Sequence, residues 1–140
     1  MSDKTVLVVQ CRLSSSRLPA KALLPLGGRT VLDWTLGAMR LVPADDYYVA
    51  TDEESASELR PVAERNGFKV FTGPLEDVLE RFCLLIEATG ADAVIRATAD
   101  NPFLFYEAAT ALVAEYKRRK ETSSCDYITW TGLPHGSGVE

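Results

Sequence analysis

The segment QCRLSSSRLPAKALLPLGGR, residues 10–29, gathers residues that suit a polyphosphate. It holds Arg12, Arg17, Lys21 and Arg29, the hydroxyls of Ser14, Ser15 and Ser16, and the pair Gly27-Gly28. Arginine makes bidentate contacts to phosphate oxygens, and lysine adds a compact point charge. Hydroxyls and backbone N–H groups can complete such a cradle. A candidate counterpart is Asp100, in the segment TADNP at 98–102. The segment is neither a P-loop nor a dinucleotide fingerprint: G-x-x-x-x-G-K-[ST] and G-x-G-x-x-G are both absent.

Charge reinforces the local picture. The 140 residues carry 15 Lys and Arg against 20 Asp and Glu, a net charge of −5. That balance argues against a general nucleic-acid or anionic-membrane binder. Yet no acid occurs between Lys4 and Leu32, where Lys4, Arg12, Arg17, Lys21 and Arg29 all fall. Other chemistries have little support. Cys11, Cys83 and Cys125 are widely spaced and form no C-x-x-C pair, so neither a disulfide framework nor a zinc site fits. His135 is the single histidine, and no serine–acid partnership for it is evident.

The elements that must position these residues can be read from periodicity. TVLVVQ (5–10) is a continuous apolar run of strand length, suited to burial on both faces. Leu32, Leu36 and Met39 recur at helical spacing up to about Leu41. YYVAT (47–51) reads as a strand. A helix follows with Ala56, Leu59, Val62 and Ala63 on one face and Gly67 just past its end. FKVFT (68–72) is the next strand, and Val78, Leu79, Phe82, Leu85 and Ile86 mark a helix ending near Gly90. DAVIRAT (92–98) is a fourth strand. Ala109, Leu112, Val113 and Tyr116 mark a fourth helix ending in the basic run KRRK, and DYITW (126–130) reads as a fifth strand.

This alternation predicts one α/β domain over 1–140, with a doubly wound, mostly parallel sheet and helices on both faces. Ligands bind such sheets at the carboxyl ends of the strands. The cationic segment follows the first strand and TADNP follows the fourth, so both fall on that edge. Connections of this kind usually take two to six residues, so a twenty-residue one marks a functional loop or a misassigned element. No apolar run approaches the roughly 20 residues of a membrane span. MSDKTVLVV makes a poor signal peptide, and the expected location is cytoplasmic.

The run R-L-S-S-S-R-L-P-A-K-A-L-L-P-L-G-G-R, followed by V-L-D-W, resembles the N-terminal signature of the sugar-acid cytidylyltransferases, which act on acylneuraminate and 3-deoxy-manno-octulosonate. It is most similar to the spore coat polysaccharide biosynthesis protein F group. VATD (49–52), GPLEDVLERF (73–82), ADAVIRATADNP (91–102) and DYITW…LPHGSGVE match in the same order. The resemblance implies a Rossmann-like nucleotide-diphospho-sugar transferase fold, truncated at its C-terminal side relative to the family. It implies transfer of CMP from CTP to a sugar acid or related sugar, with release of pyrophosphate, in surface polysaccharide biosynthesis. By the same resemblance Arg12, Ser15, Arg17 and Lys21 hold the nucleotide phosphates, with Lys21, Arg17 and Asp100 as the catalytic set. Asp77 and Arg81 lie near the nucleotide, and Asp100 ligates Mg²⁺. A homodimer is compatible with it.

Alternatives remain for several of these residues. Asp77 with Glu76 could simply begin a helix, Arg81 could be a solvated helix position, and Asp100 could be a turn residue before Pro102. His135 and Gly138 stand where relatives often carry Arg and Asp, which leaves acceptor recognition there open. Two other functions compete: a nucleotide-sugar glycosyltransferase of the same fold, and a nucleotide-binding module without turnover.

Overall fold

The computed structural model describes residues 3–14, 17–134 and 138–140. Strand β1 (Thr5–Gln10) is nearly fully buried, as its unbroken apolar run requires. The segment after it contains a 3₁₀ turn (Lys21–Leu23) and a short hairpin, β2 (Pro25–Leu26) and β3 (Arg29–Thr30). Then follow α1 (Val31–Met39), β4 (Asp46–Thr51), α2 (Glu53–Arg65), β5 (Lys69–Thr72), α3 (Val78–Thr89), β6 (Ala93–Thr98) and α4 (Tyr106–Thr122). Among the described residues no helix is long and apolar enough to cross a membrane.

The four longer strands form one parallel sheet in the order β5-β4-β1-β6. Its two faces have separate cores, because alternate residues of a strand point opposite ways. Leu7 and Val9 join Leu32, Leu36 and Met39 of α1, Leu59 and Val62 of α2, and Leu112 and Val113 of α4. Val6 and Val8 join Ala50 of β4 and Leu85 of α3. The expected doubly wound arrangement is therefore present. The chain builds outward from β1 through β4 to β5, then returns to place β6 on the other side of β1. The order of the strands thus reverses between β1 and β6, and a crevice is expected outside their carboxyl ends.

One expectation is completed and one corrected. The twenty-residue connection after β1, expected to be a functional loop or a misassigned element, contains the 3₁₀ turn and the β2–β3 hairpin. Gly27 and Gly28, at φ +61° and +85°, form the two-residue turn between β2 and β3, a geometry that demands positive φ at both positions. They shape a hairpin. Second, residues 126–130 form no strand. Tyr127 is exposed, and the indole N–H of Trp130 donates to the Ala108 carbonyl at 2.7 Å. Aromatic and β-branched residues favour strands only where a neighbouring strand receives them. Here the free edge of β6 is met by Glu140. Its backbone exchanges both hydrogen bonds with Arg96, at 2.5 and 3.1 Å, the pattern of an antiparallel pair.

Candidate functional site

At the reversal point lies a hollow of about 250 Å³ lined by Gln10, Cys11, Arg12, Arg17, Lys21, Ala22, Thr98, Ala99 and Asp100. Parallel pairing sets its floor, with Gln10 at the end of β1 beside Thr98 at the end of β6. The backbone N–H of Ala99 donates to the Gln10 carbonyl at 3.1 Å and continues the ladder one step toward Asp100.

The cations reach the hollow by a folded route. Ala20 takes a left-handed conformation, φ +54°, which is costly for a residue with a Cβ. It turns the chain into the 3₁₀ turn that begins at Lys21. The Lys21 ammonium stands 3.7 Å from an Asp100 carboxylate oxygen, with both side chains about half exposed. An ion pair this long and wet adds little to stability. Arg12 and Arg17 are also exposed, and neither forms an ion pair among the described residues. Three cations and one acid therefore face the hollow with little internal compensation among the described residues, as an anionic ligand would require.

The other members of the basic cluster point elsewhere. Lys4 sits at the opposite end of β1, its ammonium donating to the Thr89 carbonyl at 2.8 Å. Arg29 lies over the ring of Trp34, 5.3 Å from its centroid. Ser15 and His135 lie outside the described residues.

Asp77 and Arg81 belong to a neighbouring segment and do not line the hollow. Asp77 caps α3, accepting the Glu80 N–H at 2.8 Å. Arg81 is wholly buried, so it is not a solvated helix position. Its Nε and Nη2 donate to the Pro74 carbonyl at 3.1 and 2.7 Å, and Nη2 also donates to Leu75 at 2.9 Å. Its Nη1 has no partner among the described residues. Burial pushes its pKa down, Asp52 opposes that, and Arg12 adds to it. Arg81 thus fixes the segment between β5 and α3. A Cβ on Gly73 would meet its Cγ at 2.8 Å, which explains the glycine.

The hollow also contains groups that motif reasoning did not select. The Gln10 amide oxygen is buried and has no partner among the described residues. Buried polar atoms normally have partners, so a site that leaves one free invites a ligand or water. Cys11 is a buried thiol whose pKa is pushed up to about 12 by burial, with the charges of Asp52 and Asp100 adding to it. It is a neutral wall, not a nucleophile. The only available signal was position: both end a buried strand immediately before the cationic segment.

A divalent cation fits the donors present. Asp100 offers an exposed carboxylate at the hollow. Among the described residues no group of three or more His, Cys, Asp or Glu could hold a metal. An ion here would depend on ligand oxygens, as Mg²⁺ commonly does.

Known proteins agree with this architecture. Residues 6–137 match the family described as Cytidylyltransferase. The spore coat polysaccharide biosynthesis protein SpsF of Bacillus subtilis (strain 168) is 39% identical over 103 residues, covering 69% of this chain and 43% of that protein. A 3-deoxy-manno-octulosonate cytidylyltransferase of Vibrio parahaemolyticus is 33% identical over 102 residues, covering 69% and 39%. A solved cytidylyltransferase from Leptospira borgpetersenii superposes with a TM-score of 0.89 at 23% identity, covering 99% of this chain and 59% of that one. A CMP:2-keto-3-deoxy-manno-octonic acid synthetase complexed with CTP gives 0.73 at 23% identity, covering 84% and 48%. The chain spans about half the length of the curated relatives it matches. With the family match running nearly end to end and the parallel sheet in place, the chain belongs to the cytidylyltransferase family.

Proposed function

We propose that the hollow binds the triphosphate of CTP and that the protein transfers CMP to a sugar acid or related sugar, releasing pyrophosphate. The observation that carries this reading is the meeting of Arg12, Arg17 and Lys21 with Asp100 at the β1–β6 reversal. In the reaction an acceptor hydroxyl attacks the α-phosphorus, the new O–P bond forms, and the bond to pyrophosphate breaks. The hydroxyl proton passes to solvent or to a base supplied with the acceptor. Such transfers are accelerated mainly by positioning and by charge stabilisation. Arg12 and Arg17 orient the phosphates, and Lys21 stabilises the charge that builds on the leaving pyrophosphate. Asp100 would hold Mg²⁺, which when bound neutralises phosphate charge. Arg81 and Asp77 act through the segment they hold, beside the nucleotide. The substrates are soluble, and the expected setting is the cytoplasm.

Calorimetric titration of CTP, with Mg²⁺ and with a chelator, tests the reading. Lys21→Ala should weaken binding roughly tenfold to a hundredfold, the effect of one charge-assisted contact. Asp100→Asn should abolish the strengthening by Mg²⁺ while sparing binding in chelator, because the lost charge otherwise repels the triphosphate. Equal strengthening by Mg²⁺ in both proteins removes Asp100 as the ligand. Pyrophosphate release with 3-deoxy-manno-octulosonate or another sugar acid establishes turnover. Binding without release from any acceptor assigns this chain as the nucleotide-holding part alone.

A further inference from the structure

Asp52 and Ser55 stand at the start of α2, 5% and 4% exposed, and the chemistry above uses neither. Asp52 ends the segment V-A-T-D and caps α2, accepting the Ser55 N–H at 2.9 Å. It also accepts the Ser55 hydroxyl at 2.8 Å. That hydroxyl has a second contact outside the helix: its oxygen accepts the backbone N–H of Leu13 at 3.1 Å.

Leu13 is the root of the cationic segment. Its carbonyl accepts the N–H of Ala20 at 3.0 Å, which closes the chain between them. Arg12 precedes this closure and Lys21 follows it. A line of contacts therefore runs from Asp52 through Ser55 and Leu13 to Ala20, with a cation of the hollow at each side. Burial alone would raise the Asp52 carboxyl. The Ser55 hydrogen bonds, helped by the nearby Arg81 charge, hold it below its ordinary value. An ionised Asp52 accepts a hydrogen bond from the Ser55 hydroxyl, which leaves the Ser55 lone pairs free for Leu13. A serine that merely belonged to the cap would need only its backbone N–H.

We propose that Asp52 and Ser55 are positioning residues that anchor the cationic segment, through Leu13, so that Arg12 and Lys21 meet at the mouth of the hollow. This rests on the CTP reading above. Neither residue need touch the nucleotide.

The test compares CTP affinity, melting temperature and amide hydrogen exchange for wild type, Ser55→Ala, Arg12→Ala and the double variant. Ser55→Ala keeps the N–H that caps α2 and loses only the hydroxyl. It should weaken CTP binding about three- to tenfold, the effect of one hydrogen bond, and speed exchange at the Leu13 amide. In the Arg12→Ala background the same change should weaken binding less, because the two share one route. CTP affinity that survives Ser55→Ala, or an equal loss in both backgrounds, overturns the proposal. Wild-type protein that binds no CTP overturns the reading it rests on. A Leu13 amide that exchanges no faster in Ser55→Ala overturns the anchoring network by itself, whatever CTP does.

Discussion

Asp33 shows how much one side chain can join. Its carboxylate accepts the Thr30 N–H and hydroxyl, which completes a capping box at α1. It also takes the Arg65 guanidinium at 2.9 and 2.6 Å and the Asn66 amide at 2.8 Å, both from the end of α2. The Arg65 contact, opposed by burial and helped by Asn66 and Thr30, holds its carboxyl well below the ordinary carboxylate range. Asp33→Ala should cost about 2–3 kcal/mol, since it strands several donors while half-exposed Arg65 regains water. A depressed folded pKa contributes stability above the unfolded value, and that contribution disappears as pH falls through the folded one. The gap in urea unfolding between wild type and Asp33→Ala should therefore be full near neutrality and shrink in acid. A gap that stays constant into acid contradicts an ionised Asp33. At this scale residue type and motif led to Arg12, Arg17, Lys21 and Asp100, which the structure brings to one hollow. Arg81 was not readable in this way, because a helix arginine ordinarily marks the surface. Only the tertiary position of the Pro74 and Leu75 carbonyls makes burial tolerable.

The elements were legible where their signal is local. The buried run of β1, the strand pattern of β6 and the periodicity of α1 to α4 come from nearest neighbours along the chain, and the structure keeps these elements. The failures are non-local. Whether 126–130 pairs depends on what occupies the edge of β6, and that place goes to Glu140, whose side chain also engages Arg96 and Tyr127. The connection between β5 and α3 is a case where element packing yields a prediction. Gly73 donates its N–H to the Thr51 carbonyl at 3.0 Å, and a Cβ there would meet three atoms of Arg81 within 3.3 Å, one of them backbone. Arg81 is locked by its own hydrogen bonds and has no room to yield. Gly73→Ala should therefore destabilise the protein by about 1–3 kcal/mol, an overpacking cost rather than a loss of backbone freedom. Denaturant unfolding measures it. Unchanged stability would mean that Arg81 can move aside, and with it the segment it holds.

Charge is the property that only the whole molecule shows. The chain is acidic overall, at −5, yet three of its cations meet in one hollow with a single acid. The sequence revealed the asymmetry but overstated its focus, since folding sends Lys4 to the far end of β1 and Arg29 onto Trp34. The surrounding negative charge works against a polyanionic ligand at long range, while the three cations attract it at short range. Salt acts differently on the two. With a Debye length of roughly 10 Å at 0.1 M and 3 Å at 1 M, moderate salt first screens the distant repulsion, and high salt then weakens the exposed contacts themselves. CTP affinity measured in chelator should accordingly change little at the lowest ionic strengths. It should then fall on the order of tenfold toward 1 M as the solvent-facing cations are screened. Arg17→Ala should flatten that fall, because one of the screened charges is already gone. Thermal stability should respond far less over the same range, since the sheet core is apolar and screening leaves apolar burial intact. Affinity that holds unchanged to 1 M salt would mean that the nucleotide is not bound through Arg12, Arg17 and Lys21.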